Sequence, residues 1–230
     1  MSTHQPALEE QKHALPVRLS HWAMAFAMVV MIGSGWRIYD SEPVFEFLHF
    51  PYWMTLGGDV FVNLARNNDP GVAAALLWHF AGMWLLAVAW MVFMFWGLVT
   101  GHFRRDFLPV GPKSFIRDFI AAATFKLQHK LGEYNAVQRV AYWVALGATA
   151  LMLISGIAIW KPVQTYPLET FFGGFQGARL VHFLGMSVIV GFMVIHVALV
   201  ILVPKTFVAM VLGRATAVPH GAATTKTESV

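Results

Sequence analysis

Four stretches of the chain run without Asp, Glu, Lys or Arg for about the length that crosses roughly 30 Å of bilayer hydrocarbon. They are Leu19–Trp36, Val72–Gly101, Val140–Trp160 and Leu180–Val203, and each predicts a transmembrane helix. Residues 1–16 are polar, and Met24–Gly35 offers no convincing small-x-small cleavage site, so the first stretch is expected to stay as a span. Polar residues between the spans set three further expectations. Loop one, about Arg37–Pro70, carries Asp40, Glu42, Glu46, Asp59 and Asp69 against Arg37 and Arg66, is interrupted by Pro43, Pro51, Gly57 and Gly58, and is long enough to dock a partner. In loop two, Phe115, Ile116, Phe119 and Ile120 fall on one helical face of Lys113–Ile120 with Lys113, Arg117 and Asp118 elsewhere, the pattern of a short interfacial helix. The small, polar C-terminal tail, 214–230, reads as disordered.

Composition agrees with this blocked pattern. Of 230 residues, 57% are hydrophobic and 12% charged, about half the charged share of roughly 25% in ordinary soluble proteins. The fold class expected is an all-α membrane protein, a four-helix transmembrane bundle. Lys and Arg orient it. The N-terminal tail, loop two and the C-terminal tail hold Lys12, Arg18, Arg104, Arg105, Lys113, Arg117, Lys126, Lys130, Arg139, Lys205, Arg214 and Lys226, against Arg37, Arg66, Lys161 and Arg179 on the opposite side. By the positive-inside rule both termini are cytoplasmic. The net charge of +4 is thereby accounted for as a topology signal, with no call on nucleic acid.

The chain has no cysteine, which excludes disulfides, iron–sulfur clusters, zinc–thiolate sites and covalently attached c-type haem. Metal chemistry is left to histidine, methionine or oxygen. Four of the ten histidines lie within spans: His21, His79, His182 and His196. Ionisable groups at that depth are expensive and mark functional sites. For any one alone, a hydrogen bond to a neighbouring helix is the simpler role. Together they form a pattern. Alternating helix direction puts His79 and His182 near the outer end, and His21 and His196 near the inner end, each pair drawn from two helices. His182 and His196 are fourteen residues apart, which places them within roughly 40° of one helical face and about 21 Å apart along the axis. Two bis-imidazole haems stacked across the membrane need that layout. His79-Phe-Ala-Gly-Met83 and His182-Phe-Leu-Gly-Met186 repeat the pattern H-F-x-G-M, whose glycine is read as room for a flat macrocycle, with simple helix packing as the alternative. His4, His13 and His220 fall in tails and His49 in the outer loop. His102 and His129 fall at the cytoplasmic surface, where either could move protons near a quinone. The twelve methionines read as lipid-facing or core filler.

Three segments carry a family resemblance: Arg18-Leu-Ser-His-Trp22, the His182/His196 spacing, and Gly132-Glu-Tyr-Asn-Ala-Val-Gln138. Over roughly residues 16–214 the chain resembles the bacterial di-haem cytochrome b superfamily. That group includes the b-type cytochrome subunits of nickel–iron hydrogenases, the gamma subunit of formate dehydrogenase-N and the thiosulfate reductase cytochrome b. The resemblance implies two b haems, with His21/His196 and His79/His182 as axial ligands. It also implies a menaquinone or ubiquinone site at Asn135 and Gln138, by similarity to a G-K-Y-N-A-G-Q segment. Here Glu133 replaces the lysine and Val137 the glycine, which narrows that site. A second role for Asn135 is N-cap of the third span.

The leading expectation is a membrane-anchor subunit in the bacterial inner membrane, with its di-haem domain over residues 17–213. It would transfer electrons between the quinone pool and a periplasmic-facing oxidoreductase, such as a molybdoenzyme or hydrogenase, or a cytochrome c. One alternative is a self-sufficient cytochrome b quinone reductase taking electrons from a small diffusible donor, against which the long outer loop argues mildly. Another is a divalent-metal transporter, against which the lack of carboxylates in the spans argues.

Overall fold

The computed structural model describes residues 14–57, 70–104, 108, 111–124 and 135–213. Expectations for the two tails, for His129 and for Gly132–Tyr134 lie outside the described residues, apart from the start of the first helix. The helices are α1 (Leu15–Ser41), α2 (Pro70–Val99), α3 (Pro112–Ala123), α4 (Ala136–Trp160), α5 (Tyr166–Phe171), α6 (Gly174–Leu202) and α7 (Pro204–Leu212), with a 3-10 turn at Tyr52–Met54. Among the described residues there is no strand, so the fold is all-α. Four helices, α1, α2, α4 and α6, are long and apolar enough to cross a membrane.

Three of the four spans run past the charges that bounded them in the sequence. Helix α1 takes in Arg18, because the guanidinium reaches the carbonyls of Met210 (3.2 Å) and Val211 at the end of α7. That approach needs Gly213, at φ 77°, since a Cβ there would meet the arginine. Helix α6 takes in Arg179, whose side chain bonds Gln176 (2.9 Å) and the Glu42 carbonyl. Helix α4 begins at Ala136 because a capping box closes its first turn. Asn135 Oδ1 accepts the Gln138 amide at 2.9 Å, and Gln138 Oε1 accepts the Asn135 amide at 3.2 Å. Helix α3 contributes as well: Asp118 Oδ2 accepts the Ala136 amide at 3.0 Å, while Ile116, Phe119 and Ile120 face outward.

The long helices pack as two hairpins, α1 with α2 and α4 with α6. These hairpins are repeats of each other. Arg18-Leu-Ser-His-Trp22 and Met31-Ile-Gly-Ser-Gly35 in α1 correspond to Arg139-Val-Ala-Tyr-Trp143 and Met152-Leu-Ile-Ser-Gly156 in α4, and the H-F-x-G-M pair aligns α2 with α6. Contacts between hairpins obey the same correspondence. Tyr39 of α1 meets Phe183 of α6 (ring centres 4.8 Å) as Trp160 of α4 meets Phe80 of α2 (5.3 Å). Near the other end Trp22 meets Phe207 (5.7 Å) and Trp143 meets Phe103 (5.8 Å), with Phe207 one residue past the place the repeat assigns to Phe103. The arrangement is that of parallel repeats about a two-fold axis running along the bundle.

The interior is unusual for a helical bundle. Its only side chains below 2% exposure other than alanine are Ser34 and Ser155, among the described residues. Large apolar residues such as Phe26, Leu77, Phe95, Ile195 and Ile201 point outward along the spans, the surface lipid would cover.

Candidate functional site

Depth along the helices, read from the sequence, brings the histidines together as the structure has them. His79 of α2 faces His182 of α6 with ring centres 6.3 Å apart, and His21 of α1 faces His196 of α6, also at 6.3 Å. With a metal–imidazole nitrogen bond of about 2.0 Å and the ring centre about 1.1 Å beyond the nitrogen, two rings sharing one haem iron would have centres about 6.2 Å apart. Both pairs stand close enough for such a group to be held between them. Among the described residues no group of three or more His, Asp or Glu that could hold a metal ion assembles, so each pair would offer a metal one nitrogen from each of two helices.

The pair that the sequence pattern expects to lie outermost, His79 and His182, is tied down by residues that sequence reasoning missed. Ser34 Oγ lies 3.0 Å from His79 Nδ1, and Ser155 Oγ lies 3.0 Å from His182 Nδ1. Each hydroxyl spends its one proton on the carbonyl a turn earlier, Val30 at 2.6 Å and Leu151 at 2.7 Å. The serine oxygen is therefore the acceptor and the ring Nδ1–H the donor. With the proton on Nδ1, each ring keeps its Nε2 lone pair for a metal. Gly35 and Gly156 complete the cradle, since a Cβ on either would stand 3.3 Å from the Cε1 of His79 or His182. The signal that could have found them is the twice-used Met-x-x-Ser-Gly.

One reading of the glycines needs correction. Gly82 and Gly185, in H-F-x-G-M, face Met31 Sδ and Met152 Sδ of the neighbouring helix in their own hairpin, at 3.0 and 2.9 Å from a built Cβ. They let the helices of each hairpin approach, which is the helix-packing alternative.

The inner pair is held differently. His196 stacks on Phe192 (5.5 Å, 13°) and His21 meets Trp22 edge-on (5.3 Å). The repeat carries His21 onto Tyr142 and His196 onto Phe93, so the outer pair relates equivalent positions of the two hairpins while the inner pair exists on one side only. Beside the His79/His182 pair, the first part of loop one, residues 42–57, folds back. Trp36 stacks on Phe50 (4.6 Å), Tyr39 bonds both backbone groups of Phe45, and Asp40 accepts the Phe50 amide at 3.0 Å. Buried indole donors of Trp36 and Trp90 find no protein acceptor among the described residues, and a cofactor bearing carboxylates could take them up.

Of the other expected residues, Asn135 and Gln138 stand together at the α4 N-terminus, with their oxygens engaged in the capping box. His49 lies 3.7 Å from Asp40, and His102 packs near Phe103 at 6.0 Å.

A sequence model of prokaryotic cytochrome b561 matches residues 12–213. The chain belongs to the prokaryotic cytochrome b561 family. Membership implies haem b, and with four membrane-length helices this cytochrome b is a multi-pass protein of the bacterial inner membrane. It is 40% identical over 198 residues to a protein named as protein-methionine-sulfoxide reductase subunit YedZ1 of Azospira oryzae, covering 86% of this chain and 93% of that one. It is 24% identical over 199 residues to a nickel–iron hydrogenase B-type cytochrome subunit of Bradyrhizobium diazoefficiens (79% and 74%). It is also 24% identical over 208 residues to the formate dehydrogenase cytochrome b556(fdo) subunit of Escherichia coli (88% and 83%). All three are named as subunits of oxidoreductases, and with the family match this cytochrome b is an electron-transfer subunit associated with an oxidoreductase.

Proposed function

We propose that this cytochrome b is a di-haem membrane anchor that links the quinone pool to a periplasmic reductase of protein methionine sulfoxide. The observation that carries the di-haem reading is the equal 6.3 Å separation of two histidine pairs at two depths. His79 and His182 hold the outer haem and His21 and His196 the inner one. When bound, each haem supplies a one-electron couple, and two of them at two depths span the membrane. The chain's own residues do the rest: serine and glycine fix the outer ligands, aromatic rings fix the inner ones, and small residues leave the hairpins apart.

The choice of partner is supported by the 40% identity to the sulfoxide reductase subunit, well above the 24% to the other two relatives. Lysine and arginine distribution supports cytoplasmic termini, and the outward apolar face of α3 supports its lying in the cytoplasmic interface. Quinol is then oxidised near the start of α4, with the amide N–H2 groups of Asn135 and Gln138, whose oxygens are engaged, donating to a quinone carbonyl. Two electrons leave the quinol with two protons, and reduction of a sulfoxide to a thioether and water consumes two of each.

The test is isolation of the native complex in mild detergent, with a dithionite-reduced difference spectrum and mass spectrometry of what accompanies the chain. Two b haems per chain and a co-purifying periplasmic sulfoxide reductase are expected. A haem-free chain, or one that oxidises quinol without any partner, overturns the proposal.

A further inference from the structure

Ser34 and Ser155 occupy equivalent places in the two hairpins, both are fully buried, and each lies 3.0 Å from the Nδ1 of an outer histidine. We infer that they are paired positioning residues that set the potential of the outer haem, holding it lower than the same two histidines would alone. The inference rests on the reading that His79 and His182 are its ligands.

A hydroxyl has one proton, and here it is committed to Val30 or Leu151 at 2.6 or 2.7 Å. What faces each ring is therefore a lone pair, and the ring donates to it. Drawing on the Nδ1 proton makes the imidazole a stronger electron donor through Nε2. A stronger donor favours ferric over ferrous iron, so the potential falls. The effect is doubled because both axial ligands carry the same bond. It is also rigid, since Gly35 and Gly156 bring the helix backbone against each ring edge and fix its plane. His196 of the inner pair is held by ring stacking on Phe192 instead. One chain thereby presents two bis-histidine sites whose ligands have different supports, and the difference is written into two serines.

The experiment is a potentiometric titration of the purified complex, followed in the b-haem difference spectrum, for Ser34→Ala, Ser155→Ala and the double variant. Ser187→Ala serves as control, because Ser187 makes the same kind of bond to the carbonyl a turn earlier (Phe183, 3.0 Å) but is exposed. The expected result is that one of the two couples rises in each single variant, rises further in the double, and that the other couple stays in place. A change of up to about tenfold in the ferric-to-ferrous ratio per serine reads as up to about 59 mV. The low-spin ferric EPR signal of the same haem should shift with it, as its ligand planes are released. Unmoved couples, or two couples moving together, overturn the inference. So does loss of the outer haem from either alanine variant while Ser187→Ala keeps both, because the hydroxyls would then serve occupancy and not potential. His79→Ala separates this from the underlying reading. If that variant keeps both haems the ligand assignment fails; if it loses one while the serine variants move nothing, only the serine inference fails.

Discussion

At the scale of single residues, the pairing of the histidines is the sharpest claim, and double substitution tests it directly. His79→Ala and His182→Ala should each remove one of two b haems, and the double variant should lose no more than either single. His79→Ala with His196→Ala should lose both. Haem per chain, from the reduced difference spectrum, reads the outcome, and additive loss within a pair would contradict the pairing. The glycines supply a contrast of similar sharpness. At Gly156 a Cβ would already stand 3.3 Å from His182 Cε1, so Gly156→Val pushes the ring out of line, and outer-haem occupancy should fall to roughly half or less. Gly185→Ala meets only the thioether of Met152, a side chain that can give way, and both haems should remain. The histidines could be read from the sequence because a polar group in a long apolar run stands out. Ser34, Ser155, Gly35 and Gly156 could not, because small residues in membrane helices are common as packing elements. Only their position against an imidazole on another helix distinguishes them.

At the scale of elements, runs without charge locate the spans in the sequence, but three of the four helices continue past the arginine that bounds the run. Arg18 and Arg179 belong to helices because their long side chains carry the charge to carbonyls beyond the helix end. The start of α4 carries the helix cap and the proposed quinone contact on one residue. Asn135→Ala should cost about 1 kcal/mol at that helix end and speed exchange of the Ala136–Gln138 amides roughly fivefold. Asn135→Asp keeps a good cap but removes the amide donor, so it should leave exchange unchanged while raising KM for quinol. Equal effects of the two variants on quinol oxidation would assign Asn135 to the cap alone. Asp118 makes the same helix end pH-sensitive. The Ala136 amide, opposed by partial burial and aided by Arg117, holds its carboxyl below the ordinary carboxylate value. A depressed value contributes stability that is present above the unfolded value, about 4, and is lost as pH falls through the folded one. The Ala136 amide should therefore lose protection on acidification below about pH 4, and Asp118→Asn should abolish that dependence.

At the scale of the whole molecule, the question is what holds two hairpins together. Extensive backbone packing lies within α1–α2 and within α4–α6. Between them stand aromatic contacts at the rims, Tyr39 with Phe183 and Trp160 with Phe80 at one end, Trp22 with Phe207 and Trp143 with Phe103 at the other. Among the described residues the side chains buried completely are alanines, Ser34 and Ser155, too small to supply a core. The repeat was half visible in the sequence as H-F-x-G-M; its α1/α4 half is carried by scattered matches that only the shared contacts bring into register. Both histidine pairs join one hairpin to the other, so a haem held by each, as proposed, would be a cross-link as well as a redox centre. A ligand held a thousandfold above its Kd adds about 4 kcal/mol to stability, so two such haems would add about 8 kcal/mol, and for a chain of this size 1 kcal/mol moves Tm by about 2–4 °C. Protein produced under haem limitation should then melt on the order of 15–30 °C below the loaded form. Its helical circular dichroism should change little, because the bonds within each helix and the packing within each hairpin survive. A haem-free chain melting within a few degrees of the loaded one would show that the rim aromatics suffice, and that the haems bind a bundle already assembled without them.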